Sequence, residues 1–199
     1  MKYIKNILIY VLLVFSFLAC IGLTYYNLCC EKVVINGNSM NPTLNEGDLG
    51  LYTKKNFILG DIKRFDIIVF DSHNDASYIK RVIALPGEHI KIEKNGNIYI
   101  NNQLIEQNFI DQNQNNYTYI SSQSFNMEMT LKENEYFVLG DNRKVSYDSR
   151  YFGAVKEDDI EGKFILSYGK YHNYNQETNT WEDKSFFPIK FYLEDLWKF

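Results

Sequence analysis

The sequence is poor in residues that could cross-link the chain or hold a metal ion. It contains three cysteines and three histidines. Cys20 lies inside a long apolar run, Cys29 and Cys30 lie at its end, and no cysteine follows them. The rest of the chain must therefore fold without disulfides and draw its stability from its own core. The histidines are scattered and match no zinc-binding spacing, so we expect neither a metal ion nor a cofactor.

The sequence also has little excess charge of either sign. The formal net charge is −4, and the charged residues form no long block of one sign. Such a composition favours neither a nucleic-acid partner nor a disordered charged tail. The apolar fraction of 45% is ordinary, whereas the aromatic fraction of 16% is high and suits a β-rich core. A chain of 199 residues forms one domain or at most two small ones, and we expect a monomer.

One uncharged apolar run near the N-terminus has the length of a transmembrane helix. Residues 7–28 can span a bilayer with every backbone polar group bonded inside the helix. Lys2 and Lys5 precede the run, and positive charge is typical of the cytoplasmic side. The sequence therefore predicts a cytoplasmic segment at residues 1–6, a membrane anchor at residues 7–28 and an extracytoplasmic β domain at residues 29–199.

Two other interpretations of the apolar run are open. A cleaved signal peptide has a shorter apolar core followed by a small-residue cleavage site, and no A-x-A site follows here. A lipoprotein signal could end at Leu18-Ala19-Cys20, but residues 21–28 stay mostly apolar beyond that cysteine. The length of the run favours a retained anchor.

Short strand-like segments joined by turns make up the rest of the chain. Asn95-Gly96 between the strand-like segments 90–92 and 98–100 predicts a β-hairpin. Residues 107–126 are polar and predict an irregular excursion, and the aromatic residues 186–199 could dock on the core or rest on lipid. No second helix is predicted, so the fold class is mainly β. The predicted strands are residues 32–35, 49–53, 67–70, 78–85, 90–92, 98–100, 136–139 and 163–168.

Ser39 lies in a predicted turn after the first strand. Asn36, Gly37 and Asn38 precede it and favour a turn, and Pro42 prevents a helix from continuing there. Taken alone, such a serine is typical of many turns. Two later stretches give it possible chemical partners.

Lys80 and Arg81 occupy the first of these stretches. In a strand, neighbours point to opposite faces, so each cation has apolar company on its own face. Both could be edge residues whose charged ends reach water. If one of these two side chains is shielded from water, only Lys80 could act as a base, because arginine keeps its proton in proteins. The lysine pKa would have to fall from about 10.4 to about 7.5, which burial can achieve.

The second stretch covers residues 140–150. Its Gly-Asp-Asn start is typical of a polar loop. A functional interpretation gives Ser146 the task of orienting the Lys80 amine, while Asp148 and Arg150 pair and brace the loop.

Together, these stretches resemble the type I signal peptidases, which are membrane-anchored serine proteases with a Ser–Lys dyad. The resemblance extends from the anchor to about residue 165, and the single anchor with a compact outer domain is similar to the Gram-positive form. The matching segments are residues 37–44, 60–70, 78–88 and 140–153.

The resemblance implies a largely antiparallel β domain with a substrate groove near the membrane surface. It implies Ser39 as nucleophile and Lys80 as general base, cutting preproteins after a small-residue, A-x-A-like site. The Ser39 backbone N–H would hold the oxyanion, helped by the preceding Gly37 and Asn38. Some family members have a serine where this chain has Gly37, so a side-chain donor is missing here. Gly50 also stands where the family tends to have a branched apolar residue.

The partners implied are preprotein signal peptides and the lipid bilayer. Small substrate residues would fit shallow pockets that we expect to involve Val34, Ile35 and Ile83. A specialised peptidase for pilin-like or surface proteins would use the same chemistry. A non-catalytic, membrane-anchored binder of export substrates is disfavoured by the intact serines and lysine. The self-cleaving repressors also use Ser–Lys, but they carry a DNA-binding helical domain where this chain has an apolar run.

Overall fold

The computed structural model describes residues 2–57, 60–73, 76–110, 118, 127–175, 180–185 and 189–192. Helix α1 spans Lys2–Cys29. Within it, Tyr3–Cys29 is the one helix of the described chain that is long and apolar enough to cross a membrane. The most apolar part of this helix is not buried against the protein, so its apolar surface is free to contact lipid.

Thirteen strands follow α1 in the described residues. They form two sheets in which every pairing is antiparallel. The predicted mainly β, antiparallel fold after an N-terminal apolar helix is therefore confirmed. The strands are β1 Cys30–Val34, β2 Asp48–Lys54, β3 Ile67–Asp71, β4 Ser77–Ala84, β5 His89–Ile92, β6 Ile98–Ile100, β7 Gln103–Leu104, β8 Met127–Thr130, β9 Glu135–Leu139, β10 Val155–Lys156, β11 Ile160–Asn175, β12 Thr180–Ser185 and β13 Lys190–Phe191.

The larger sheet has nine strands. Its order is β1-β2-β11-β3-β4-β9-β10, with β12 and β13 also pairing with β11. The smaller sheet has the order β7-β6-β5-β8 and contains the hairpin that Asn95-Gly96 predicts. Strand β4 ends in a buried cluster shared with the smaller sheet, which includes Ile83, Ile90 and Ile98. The two sheets therefore meet next to the strand that carries Lys80.

Gly50 has a packing role that the sequence alone does not reveal. A Cβ atom at Gly50 would lie 2.3 Å from the Phe164 ring. Phe164 has no exposed surface and packs with Met40 and Leu44, which follow Ser39 in the chain. A branched residue at Gly50 would push this ring against the Ser39 turn.

The sequence misses several elements. A short helix α2 covers Ser149–Phe152, and Asp148 caps it by accepting a hydrogen bond from the Arg150 backbone N–H. Two 3₁₀ turns, Lys55–Phe57 and Glu157–Asp159, are also present. The prediction that no second helix exists is therefore wrong. Elements this short show no periodicity in the sequence, so the pattern could not reveal them.

Strand lengths also differ from those predicted. Strand β11 runs for 16 residues, well past the predicted end at residue 168. Its second half forms a strand because it pairs with β12, and the sequence does not predict this half because it is polar. Most of the predicted excursion at 107–126 lies outside the described residues. Of the aromatic C-terminal segment, only residues 189–192 are described, and there β13 pairs with β11. These four residues therefore dock on the sheet.

Candidate active site

Ser39 and Lys80 meet in the structure. The Lys80 Nζ atom donates to the Ser39 Oγ atom at 2.8 Å, although the two residues lie on different elements. Lys80 projects from β4, and Ser39 lies in the loop between β1 and β2. The Lys80 Nζ atom also donates to the Ile79 carbonyl at 3.0 Å. The amine is thus held at hydrogen-bonding distance from the hydroxyl, as a nucleophile and its base require.

Buried side chains fix the loop that carries Ser39. Its ends are closed by two hydrogen bonds, Ile35 N–H to the Asp48 carbonyl and Gly47 N–H to the Ile35 carbonyl, both 2.9 Å. Gly37 has φ 85°, which a residue with a side chain adopts only with strain. Directly after the serine, Met40 is buried in the core. The half-buried Ser39 therefore sits on a well-anchored turn.

Asn142 clamps this turn from the opposite side. Its backbone N–H donates to the Ser39 carbonyl at 3.0 Å, and its Nδ2 atom donates to the Asn38 carbonyl at 3.1 Å. In a trans peptide the C=O and N–H point in opposite directions. Fixing the Asn38 carbonyl therefore also fixes the direction of the Ser39 N–H. Sequence analysis assigned Asn142 no role, although it lies in the Gly-Asp-Asn motif.

Lys80 is buried without a charged partner. The residue is 4% exposed, and no ion pair forms at its amine within the described part of the chain. Burial lowers the Lys80 pKa from 10.5 to about 8, although the negative charges of Asp148 and Asp141 oppose the change. Desolvation thus makes the neutral amine available near physiological pH.

Arg81, the neighbouring cation, has the opposite environment. Its guanidinium donates to both carboxylate oxygens of Asp141, at 2.8 and 2.6 Å. It also donates to the Phe65 carbonyl at 2.9 Å and lies 4.2 Å from the centre of the Phe109 ring. Thr43 donates to the same Asp141 carboxylate. This network ties the Ser39 loop to β4 and to the loop that begins at Gly140.

The loop at residues 140–150 is organised around Asp148. The predicted ion pair is present: Arg150 Nε lies 2.7 Å from Asp148 Oδ1, and both side chains are buried. The other Asp148 oxygen accepts from the Gly140 N–H at 3.0 Å. Arg150 also donates to the Ser146 carbonyl at 3.3 Å. The pair therefore holds both ends of the loop.

Ser146 does not make the contact expected of it. Its residue is 3% exposed, and its Oγ atom has no hydrogen-bond partner among the described residues. The hydroxyl instead packs against Gly140, where an added Cβ would come 2.2 Å from the Ser146 Oγ and 2.5 Å from the Ser39 carbonyl oxygen. The hydroxyl thus lies beside the Ser39 turn with its hydrogen-bonding capacity unused.

Arg143, which the sequence analysis did not single out, anchors the same loop. It donates to the Gly140 carbonyl at 3.0 Å, to Thr118 Oγ1 at 2.7 Å and to the Gln107 side chain. Burial lowers the Arg143 pKa to about 10, partly offset by Asp141. Gln107 and Thr118 come from the polar stretch between β7 and β8, so only the folded structure reveals these two contacts.

A groove of about 920 Å³ opens at the serine and the lysine. Val34 and Ile35 line it as predicted, but Ile83 does not. Ile83 has no exposed surface and packs in the core shared by the two sheets, so its proposed role in a substrate pocket is wrong. The lining residues are Val33, Val34, Ile35, Asn36, Gly37, Asn38, Ser39, Met40, Asn41, Ser77, Tyr78, Ile79, Lys80, Asn142, Val145 and Tyr147.

No group of three or more His, Cys, Asp or Glu side chains in the described residues is arranged to hold a metal ion. The groove brings together the Ser39 hydroxyl and the Lys80 amine.

Comparison with known proteins defines the class of protein. Residues 2–169 match the family described as signal peptidase, peptidase S26, which makes the protein a peptidase. The chain belongs to this S26 family of signal peptidases.

Individual relatives agree with the family match. Signal peptidase I of Bacillus caldolyticus is 35% identical over 158 residues, covering 75% of this chain and 85% of the relative. Signal peptidase IB of Staphylococcus aureus (strain COL) is 31% identical over 157 residues, covering 72% and 82%. The crystal structure of a signal peptidase I from Enterococcus faecalis V583 is 34% identical and covers 53% of this chain and 98% of that chain, with a TM-score of 0.43.

Proposed function

We propose that this protein is a serine endopeptidase that removes signal peptides from exported preproteins by means of a Ser39–Lys80 dyad. The observation that carries the proposal is the 2.8 Å contact between the Lys80 amine and the Ser39 hydroxyl. That amine is buried and lacks a carboxylate partner in the described structure. It can therefore exist as a neutral base, which a solvated lysine at neutral pH cannot.

The reaction begins with proton transfer. As the Ser39 oxygen attacks the scissile carbonyl, the neutral Lys80 amine takes the hydroxyl proton. The resulting ammonium gives a proton to the departing amine of the mature protein, and the signal peptide remains as an ester on Ser39. Lys80, neutral again, then removes a proton from a water molecule that hydrolyses the ester and regenerates the hydroxyl.

The negative charge on the attacked carbonyl oxygen needs a donor. No described residue accepts a hydrogen bond from the Ser39 N–H. Asn142 fixes the direction of this group through the Asn38 carbonyl. An oxyanion donor of this kind contributes roughly 3–4 kcal/mol in other serine hydrolases. Gly37 offers no side-chain donor, so the backbone of the turn has to carry this role.

The anchor brings enzyme and substrate to the same place. In the proposed orientation, the N-terminus is cytoplasmic and the β domain lies outside, directly after α1. A signal peptide embedded in the same bilayer presents its cleavage site close to the groove, which raises the effective concentration without any further contact. We propose that small residues before the scissile bond pack against Val34 and Ile35 in the groove.

Cleavage by purified full-length protein in lipid vesicles tests this function. We expect it to cut an exported preprotein after the A-x-A-like site, and Ser39→Ala and Lys80→Met to abolish cutting. Lys91→Met is the matched control, because Lys91 also lies on a strand but is partly exposed and does not line the groove. Equal cleavage by the parent and the three variants would contradict the proposed Ser39–Lys80 dyad. A panel of unrelated preproteins separates general processing, in which most are cut, from a specialised enzyme.

A further inference from the structure

A second, smaller cavity adjoins the groove, and we call it the distal pocket. Its volume is about 160 Å³, which suits a single side chain rather than a larger ligand. Four aromatic residues, Phe70, Tyr78, Tyr147 and Phe152, line it. Asp71, His73 and Asp159 also line it, and we call these three residues the rim.

The distal pocket shares two lining residues with the groove. Tyr78 and Tyr147 line both cavities, and the Lys80 Nζ atom lies 5.3 Å from the centre of the Tyr78 ring. The pocket therefore begins one side chain away from the proposed reacting atoms. A side chain just beyond the scissile bond could reach it.

The direction of the substrate follows from the position of α1. Strand β1 continues directly from the membrane-length helix and contributes one end of the groove. A signal peptide that leaves the bilayer enters at that end. The residues after the scissile bond then leave past Tyr147, on the side of the distal pocket.

The aromatic walls favour a long cationic side chain. Tyr147 stacks on Tyr151 with ring centroids 5.3 Å apart and meets the edge of Phe152 at 5.5 Å. Despite this packing, Tyr147 remains 52% exposed. Aromatic faces attract lysine and arginine head groups, and the apolar stems of these residues pack well against such rings.

The rim supplies negative charge. His73 lies between its two carboxylates, with Nδ1 3.7 Å from Asp71 Oδ2 and Nε2 3.3 Å from Asp159 Oδ1. Among the described residues, no lysine or arginine lines the distal pocket. A cation that enters along the aromatic walls would therefore meet Asp71 and Asp159 at the rim.

We propose that the distal pocket binds a lysine or arginine side chain from the first few residues of the mature protein. This specificity rests on the proposed peptidase function and adds a preference on the far side of the cleaved bond. An exposed carboxylate, a partly buried carboxylate and a ring face give a modest effect, which we expect to raise kcat/KM about threefold to tenfold.

The test uses full-length protein in vesicles and peptides that differ at one position. Each of the first four residues after the scissile bond is replaced in turn by lysine, arginine, glutamine or glutamate. At one of these positions, we expect the peptides with lysine or arginine to have a higher kcat/KM than the peptide with glutamine. The peptide with glutamate should have a lower kcat/KM than the peptide with glutamine. In the Asp71→Asn/Asp159→Asn double variant, the lysine-to-glutamine ratio should approach one.

Asp158→Asn is the matched control, because it removes an adjacent charge that lies outside the pocket and is paired with Lys55. This variant should keep the ratio of the parent. A second measurement needs no variant: the ratio should fall as salt rises, since Asp71 is exposed and Asp159 is partly exposed, so that salt screens their charges.

The proposal is overturned if lysine and glutamine peptides are cut equally at all four positions. It is also overturned if the ratio survives in the double variant or is unaffected by salt. Failure of the parent to cut any peptide would instead overturn the proposed function itself, so the two failures are distinguishable.

Discussion

At the scale of single residues, Lys80 and Arg81 show how a partner decides what a buried cation can do. Arg81 is bonded to both oxygens of Asp141, whereas the hydrogen-bond acceptors of the Lys80 amine among the described residues are a hydroxyl and a carbonyl. A buried cation without an anion loses its proton more easily. The sequence places both residues in apolar company and cannot separate them further, because the deciding carboxylate lies 60 residues away.

The pH dependence of the reaction follows from the neutral amine. Burial lowers the Lys80 pKa to about 8, and only the deprotonated form can accept the Ser39 proton. We expect kcat/KM to rise about tenfold per pH unit below this value and to level off above it. Steady-state rates on one peptide between about pH 6 and about pH 10 check this expectation. A profile that is flat below pH ~8 would contradict it.

Ser146 offers a test that separates activity from stability. Its buried hydroxyl has no partner in the described structure, and such a group costs about 1–3 kcal/mol. Ser146→Ala should therefore unfold no more easily than the parent, while kcat falls about tenfold if the hydroxyl serves the reaction. The measurements are denaturant unfolding and peptide cleavage.

Ser149→Ala is the matched control for this variant. The Ser149 hydroxyl accepts from the Val138 N–H at 2.9 Å, and its loss should cost about 1–2 kcal/mol of stability. A Ser146→Ala protein that is equally destabilised, with unchanged kcat, would show that the hydroxyl serves the fold.

At the scale of elements, the loop that begins at Gly140 orients the turn that carries Ser39. Asn142→Ala removes the donor to the Asn38 carbonyl and frees the Ser39 N–H to rotate. We expect kcat to fall roughly 10- to 100-fold with little change in KM, because an oxyanion donor acts mainly in the transition state. Asn142→Asp, which keeps the shape but not the donor, should be as slow. Normal kcat in either variant would contradict this role.

Asp148 should connect loop stability to the lysine pKa. Asp148→Asn removes the negative charge that Asp148 places against the buried Arg150, which we expect to cost about 3 kcal/mol. The Asp148 charge also raises the Lys80 pKa, so the midpoint of the pH–rate profile should move to lower pH. Unfolding and cleavage rates measure both effects. Destabilisation with an unmoved midpoint would contradict the electrostatic part of the account.

Strands could be predicted from the sequence where their apolar pattern is long and bounded by turns. Strands β3, β4 and β9 match the expectation closely, as does the hairpin at Asn95-Gly96. The two-residue strands β7 and β10 and the one-turn helix α2 are too short to show a period. They form because neighbouring elements supply hydrogen bonds, such as the Asp148 cap on α2.

At the scale of the whole molecule, the fold brings three distant stretches of chain together around the buried Lys80 amine. The sequence predicts the serine, the lysine and the Asp148–Arg150 pair from local pattern and family resemblance. It misses Asn142 and Arg143 and misplaces Ile83, because those positions depend on how the two sheets and the polar loops meet. Contacts between loops that are far apart in the chain leave no periodic trace in the sequence.

The membrane-length helix and the groove also belong to this scale. Strand β1 follows α1 without an intervening loop, so the groove cannot lie far from the end of the helix. Such an arrangement suits a substrate that is itself held in the bilayer, because both partners are then confined to the same surface layer.

Direct titration of the Lys80 amine by NMR, in full-length protein carrying ¹³C-labelled lysine, tests the account most directly. Comparison with Lys80→Met assigns the resonance. We predict that Lys80 titrates near pH 8, well below the ordinary pKa of a lysine side chain, which is about 10.4. A Lys80 resonance that titrates at the ordinary lysine value would show a charged amine at neutral pH and would contradict the proposed role of Lys80 as the base.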